Sequence, residues 1–463
     1  KLLYYPAVTR EPFANQGRLT TLMESGQMAQ SLGLPQTFAY GTIVDPRHDP
    51  ALEQTDAVTG TQVPDLVQPN AIALSPDGLH AYAAAGISNA VLHFARDPAT
   101  GALSHIASYK VGTVGFASAK LKNPQDIKLS PDGDFLYVAA RGDSAVTVLA
   151  REAGDGTLAF VHSLSNPSTS DVVRLAISPD GRHVYAVGRT SSALAAFSRD
   201  EVTGQLAFSH AITRESPGVS ALDQPNGIAV SPDGAQVYVT ARIGNAVVAF
   251  DRTTDPAHAD FGRLAHKASY ANGLNGISGL LGAFGIAISS DGRQVYVAAE
   301  QDNGVVLFDR AANGTLSLRR IWRHGDAGLY GLRGAQGIEV APDGREVFVT
   351  GAGDDSLTVF RRNSDSGAQA GNLAVHRTLF KGDNGLQHLD VPGAMASSAD
   401  DRYLYVAASG DASAIITYRR LGADVLGVDI ASNLVAAGKK RAADPPHPMA
   451  DTSAGTALGA IPA

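Results

Sequence analysis

Arg141, Arg189 and Arg242 stand nine residues after Asp132, Asp180 and Asp233, and the next residue at that offset, after Asp291, is Glu300. Guanidinium groups held near one another without matching acids bind carboxylate or phosphate oxygens bidentately. A glutamate beside them is the kind of group that moves a proton. Seven residues before the same series of aspartates stand Asn70, Gln125, Val173, Asn226, Phe284, Gln336 and Gly393, with Asp126 and Arg174 one step later in their repeats. Arg141, Arg189, Arg242, Arg174, Asn70 and Asn226 are therefore candidate binding residues for a small anionic molecule. Glu300, Asp126 and His388 (a loop histidine before the last repeat) are candidate proton carriers. The plainer reading of the same residues is a solvated rim in which arginine pairs with Asp126, Asp143 or Glu300.

Other chemistries are poorly supplied. The chain has no Cys among 463 residues, which removes disulfides, thiolate metal sites and a thiol nucleophile. His105, His162, His210, His266 and His376 fall on segments read as outermost strands, and no His-x-x-x-His occurs. A Gly-x-Ser-x-Gly elbow is missing. The glycine-rich loops at 273–285 and 325–337 lack a phosphate-loop lysine. The net charge of −8 argues against a nucleic-acid partner, and no apolar run is long enough to span a membrane.

The positions of these residues follow from a repeat. Ser-Pro-Asp-Gly or a close variant recurs with its aspartate at 77, 132, 180, 233, 291, 343 and 400. Five residues after each stands an aromatic: Tyr82, Tyr137, Tyr185, Tyr238, Tyr296, Phe348 and Tyr405. Nineteen residues after each stands an arginine: Arg96, Arg151, Arg199, Arg252, Arg310, Arg362 and Arg419. Within residues 223–270, four short runs rich in β-branched and aromatic residues are separated by turn signals, so each unit reads as four strands. Seven such units predict an all-β, seven-bladed β-propeller with four antiparallel strands per blade. The Asp and Arg series then share one rim and read as repeated blade-stabilising ion pairs. The aromatics read as packing between blades. The candidate site lies on the opposite rim, where the copies stop agreeing.

After the turn come Tyr-Val-Ala-Ala at 137–140 and 296–299, Tyr-Val-Thr-Ala at 238–241 and Phe-Val-Thr-Gly at 348–351. These resemble the YVTN-type repeats of bacterial and archaeal surface proteins. They also resemble the propeller-lactonase family, which includes 6-phosphogluconolactonases and carboxymuconate-cyclising enzymes. That second resemblance implies arginines, a glutamate and a histidine at the channel mouth; Arg141, Arg189, Arg242 and Glu300 match by type and blade position, and His388 is the nearest histidine. Gln68-Pro69-Asn70 and Gln224-Pro225-Asn226 are similar to the strand start of regucalcin-type lactonases, where an Asn joins carboxylates around a divalent ion; calcium is the cofactor so implied.

The ends complete the expectation. Arg10-Glu11-Pro12 followed by Gly17-Arg18-Leu19 resembles the hairpin at 96–103, so residues 1–25 are read as a hairpin whose strand at 18–24 completes the last blade and closes the ring. Residues 26–67 are an insertion loop, 68–420 the propeller and 421–463 an Ala/Gly/Pro-rich extension. An N-terminus without Met or signal pattern, together with absent Cys, suggests an extracytoplasmic protein. Two functions stay open: a lactonase-like hydrolase of an anionic lactone or cyclic ester, and a non-catalytic exported scaffold that binds another exported protein.

Overall fold

The computed structural model describes residues 52–363, 369–383, 386–410 and 413–420. They form seven four-stranded antiparallel sheets arranged as the blades of a propeller. The inner strands are β2 (Pro69–Leu74), β6 (Pro124–Leu129), β10 (Val172–Ile177), β14 (Pro225–Val230), β18 (Ala283–Ile288), β22 (Ala335–Val340) and β26 (Pro392–Ser397). In the fourth blade β14 is followed by β15 (Gln236–Ala241), β16 (Ala246–Arg252) and β17 (Leu264–Ala271), in the order read from the sequence. All six residues of β15 are buried, because both faces of a blade pack on neighbouring blades and period-two alternation disappears. The apolar core is accordingly a set of seven clusters between blades, not one central nucleus.

The ring is closed by an N-terminal strand, as expected, but by β1 (Leu52–Thr59), which pairs with β28 (Ala414–Arg420) from Leu52↔Arg420 to Thr59↔Ala414. This strand falls inside the stretch read as an insertion; residues 18–24 lie outside the described residues. Every outer strand starts with a leucine that is buried against a neighbour, and Leu52 fills that place. The hairpins before the other six carry Gly-x-Leu, whereas Leu52 follows Pro50-Ala51, so the glycine cue pointed to Gly17-Arg18-Leu19 instead.

The Pro-Asp-Gly corners are stitched across blades. In the third and fourth blades, Arg252 reaches back to Asp180 at 2.5 Å, donates to the Tyr185 hydroxyl at 2.8 Å and to the Gly234 carbonyl of its own corner at 3.3 Å. Tyr185 in turn donates to the Gly262 carbonyl at 3.1 Å. Arg199 and Asp132, Arg310 and Asp233, and Arg362 and Asp291 repeat the pairing. Each arginine thus pairs with the aspartate of the preceding blade, not with its own. Burial alone would raise the Asp180 carboxyl, but Ser178, the Arg182 amide and Arg252 together hold it below the ordinary carboxylate range.

The last blade departs from the repeat in an instructive way. Its turn between the second and third strands is one residue longer, so Arg420, not Arg419, takes the conserved place. The preceding blade offers Phe348, which has no hydroxyl, and Glu346 accepts from Arg420 Nε at 3.0 Å instead. Asp401 replaces the corner glycine and accepts from the same guanidinium at 2.6 Å. Asp401 sits at φ +58°, a left-handed conformation that glycine provides elsewhere, as at Gly234 with φ +70°.

Candidate functional site

On the opposite rim, the backbone N–H nine residues after each corner aspartate donates to the carbonyl nine residues before it. Arg189 thus binds Asp171 at 3.1 Å, Arg242 binds Gln224 at 3.0 Å and Glu300 binds Gly282 at 3.0 Å. This bond ends each inner hairpin and puts Arg141, Arg189, Arg242 and Glu300 at the same place in successive blades, on the rim opposite the corners.

Arg141 is paired with Asp171. Arg242 Nε donates to Glu300 at 2.6 Å, and Gln336 supports the other Glu300 oxygen at 3.3 Å. Arg189 has no carboxylate partner among the described residues; it donates to the Asn226 amide oxygen at 2.6 Å, and its buried Nε forms no hydrogen bond. Burial lowers the Arg189 pKa most, and the charges of Arg141, Arg174 and Arg242 lower it further, while Asp171 opposes them. Four guanidinium groups therefore act on one small volume.

The other expected residues are placed as follows. Arg174 lines the channel and donates to the carbonyls of Val173 at 2.9 Å and Gln125 at 3.3 Å. Asp126 also lines it, but its carboxylate accepts the Leu175 amide at 2.9 Å and lies 3.5 Å from Lys128, joining two blades. The Asn70 amide donates to the Pro124 carbonyl at 3.0 Å. His388 is not brought to the channel: its loop is anchored by the buried Leu386 and Leu389 in the cluster that contains Leu52, and the Gln387 amide meets Gln54 on β1. Asp171 was missed. It stands nine residues before Asp180, the one carboxylate at an offset where the other repeats carry Gln, Asn, Gly or Val.

The channel below the mouth has a volume of 530 Å³ and is lined by all seven inner strands. Where β14, β18 and β22 approach, the third residue is glycine; a Cβ on Gly227 would lie 2.4 Å from the Phe284 carbonyl oxygen and one on Gly337 2.0 Å from that of Gly393. The same position carries Asp126 and Arg174 on β6 and β10, so the wall is polar on one side and bare backbone on the other.

A divalent-ion site of the kind implied by the Pro-Asn resemblance does not fit these donors. The Asn226 oxygen already accepts from a cation, Asn70 presents its amide nitrogen to a carbonyl, and Asp126 is engaged twice. Among the described residues, no three His, Asp or Glu side chains gather as ligands would. No helix among them is long and apolar enough to cross a membrane.

A family model described as Lactonase, 7-bladed beta-propeller, matches residues 46–222 and 281–423. Among solved structures, the periplasmic gluconolactonase of Pseudomonas aeruginosa superposes with a TM-score of 0.53 and 24% identity, covering 68% of this chain and 86% of that one. A Bacteroides uniformis protein named for 6-phosphogluconolactonase gives a TM-score of 0.53 at 20% identity, over 67% of this chain and 85% of that one. At these identities the likeness is one of fold. A short match of another kind is to the ferredoxin–NADP reductase of Pseudomonas aeruginosa, 47% identical over 66 residues. The match spans 23% of that enzyme and 12% of this chain, so the reductase's activity does not travel with it.

Proposed function

The chain belongs to the lactonase family of seven-bladed β-propellers, and from that premise we propose that it binds and hydrolyses an anionic lactone or cyclic ester at the arginine-lined channel mouth. The observation that carries this reading is Arg189: a guanidinium amid three others, with no carboxylate of its own and a buried Nε left unpaired. A carboxylate or phosphate on the substrate supplies what this cluster lacks.

In this reading Arg141, Arg174 and Arg189 hold the anion. The substrate draws Arg242 away from Glu300 and leaves that carboxylate free to accept a proton. Water adds to the ester carbonyl, its proton passing to Glu300, and the oxyanion so formed is met by Arg189 and Arg242. Collapse breaks the acyl–oxygen bond, and the departing ring oxygen takes the proton from Glu300 to give a hydroxy acid. Asp126 and His388 drop out as proton carriers, the first because it bridges blades and the second because its loop faces the outer strand. We also place the protein outside the cytoplasm, a reading supported by the periplasmic relative of the same fold.

The test is a panel of lactones and cyclic esters, assayed with and without chelator. Arg189→Ala combined with Arg242→Ala should cut turnover by about 10²-fold or more with the circular dichroism unchanged. Undiminished turnover in that variant rejects the assignment. Binding without turnover in the wild type would favour the exported-scaffold reading, for which the Arg141–Asp171 and Arg242–Glu300 pairs are the supporting observation.

A further inference from the structure

The residue on each inner strand that pairs with the second-strand aromatic is alanine in five blades: Ala73, Ala176, Ala229, Ala287 and Ala396. In the other two it is Lys128, opposite Tyr137, and Glu339, opposite Phe348. Both line the channel. They belong to the second and sixth blades, on opposite sides of a seven-membered ring, so they meet only across the channel. The charge of Lys128 acts on Glu339 from there.

Neither charge belongs to the repeat, since five blades carry alanine at the same place. Neither is well satisfied. Among the described residues the Lys128 ammonium has only Asp126, at 3.5 Å, and nearly half of its side chain is open to the channel. Glu339 Oε1 accepts the Ser397 amide at 2.7 Å, while the buried Oε2 has only the Ser397 hydroxyl beside it among the described residues. Enclosing a carboxylate as sparsely satisfied as Glu339 is unfavourable, and a scaffold under no other demand would carry alanine there as well.

We propose that the channel holds a second binding site, below the arginine mouth and distinct from it, for a small molecule carrying a carboxylate and hydroxyl groups. Lys128 takes the carboxylate, and Glu339 accepts from a hydroxyl on the far wall. The 530 Å³ of the channel admits a molecule of roughly a dozen heavy atoms. The site requires no turnover at the rim.

Calorimetric titration of the purified chain with D-gluconate, sorbitol and hexanoate separates the two contacts. Gluconate should bind best. Lys128→Ala should weaken gluconate and hexanoate by about tenfold and leave sorbitol unchanged; Glu339→Ala should weaken gluconate and sorbitol by a similar factor. Both variants restore the alanine of the other blades, so their melting temperatures should match or exceed that of the wild type. Arg189→Ala with Arg242→Ala should remove only a rim-bound equivalent of gluconate and leave the Lys128-dependent one within about twofold. No saturable gluconate binding, or wild-type gluconate affinity in both alanine variants, overturns the proposal. Gluconate binding lost only in the rim variant overturns it too, while sparing the reading of the mouth. A lower melting temperature with unchanged binding would make the two charges structural and also overturn it.

Discussion

At the Pro-Asp-Gly corners, arginine meets the aspartate of the preceding blade all the way round the ring; at the channel mouth, four arginines share Asp171 and Glu300 between the second and fifth blades. The chemistry of the groups is the same and their surroundings are not. A corner arginine such as Arg252 is 1% exposed and also bound to a tyrosine hydroxyl and a glycine carbonyl. Arg242 at the mouth is 32% exposed and bound only to Glu300. Repeated pairing gives stability, and local imbalance gives a place for a ligand.

The sharpest test of this contrast is Arg252→Ala. It strips partners from Asp180 and Tyr185 inside a blade junction and should lower stability by about 3–5 kcal/mol in urea titration. A loss below about 1 kcal/mol would mean that the corner network is ornamental.

Acid should strain the corners before the mouth. Burial, followed by the Arg252 charge, pushes His183 down to about 4, and burial with neighbouring His80 does the same to His93. His183 Nδ1 lies 3.0 Å from Arg252 and His80 Nδ1 3.0 Å from His93 Nε2, contacts that each need one unprotonated acceptor nitrogen. With folded values below the unfolded one of about 6.5, the stabilisation is complete above pH 6.5 and falls as pH drops towards 4, at about 1 kcal/mol per pH unit for each histidine. Urea midpoints measured between pH 7 and 4.5 should decline, and His183→Gln should flatten the decline; a flat wild-type profile contradicts this.

Tyr185→Phe removes one hydroxyl that both donates and accepts, and should lower stability by about 1–2 kcal/mol in the same titration. The smallest change is expected from Arg141→Ala. Freeing Asp171 at a part-exposed pair should shift stability by less than about 1 kcal/mol while weakening anion binding measured by calorimetry. A larger loss of stability would erase the distinction between the two rims.

Much of this architecture was readable because a blade is local. The corner, the aromatic and the turn residues lie within about twenty positions, so their offsets survive in sequence. What the offsets hide is pairing between blades. Arg151 meets Asp77 seventy-four residues away, and a fixed spacing from Asp132 suggested the wrong aspartate. One added residue in the last turn moved the stitching role from Arg419 to Arg420. On the opposite rim one recurrent backbone bond sets the place of Arg141, Arg189, Arg242 and Glu300 in their blades, and Arg242 pairs with Glu300. His388 lies in an irregular loop with no such bond to predict where it goes. Lys128 and Glu339 were visible as exceptions to an alanine column, but only the strand register makes that column legible.

The strand Leu52–Thr59 hooks onto Ala414–Arg420 like a clasp. Joining residues some 360 positions apart costs about 5 kcal/mol of chain entropy, all of it due at a single fastening. The first described strand is therefore the last to find its place. Until the ribosome has passed Arg420, the strand Leu52–Thr59 waits without its partner, its edges available to any extended segment that drifts by.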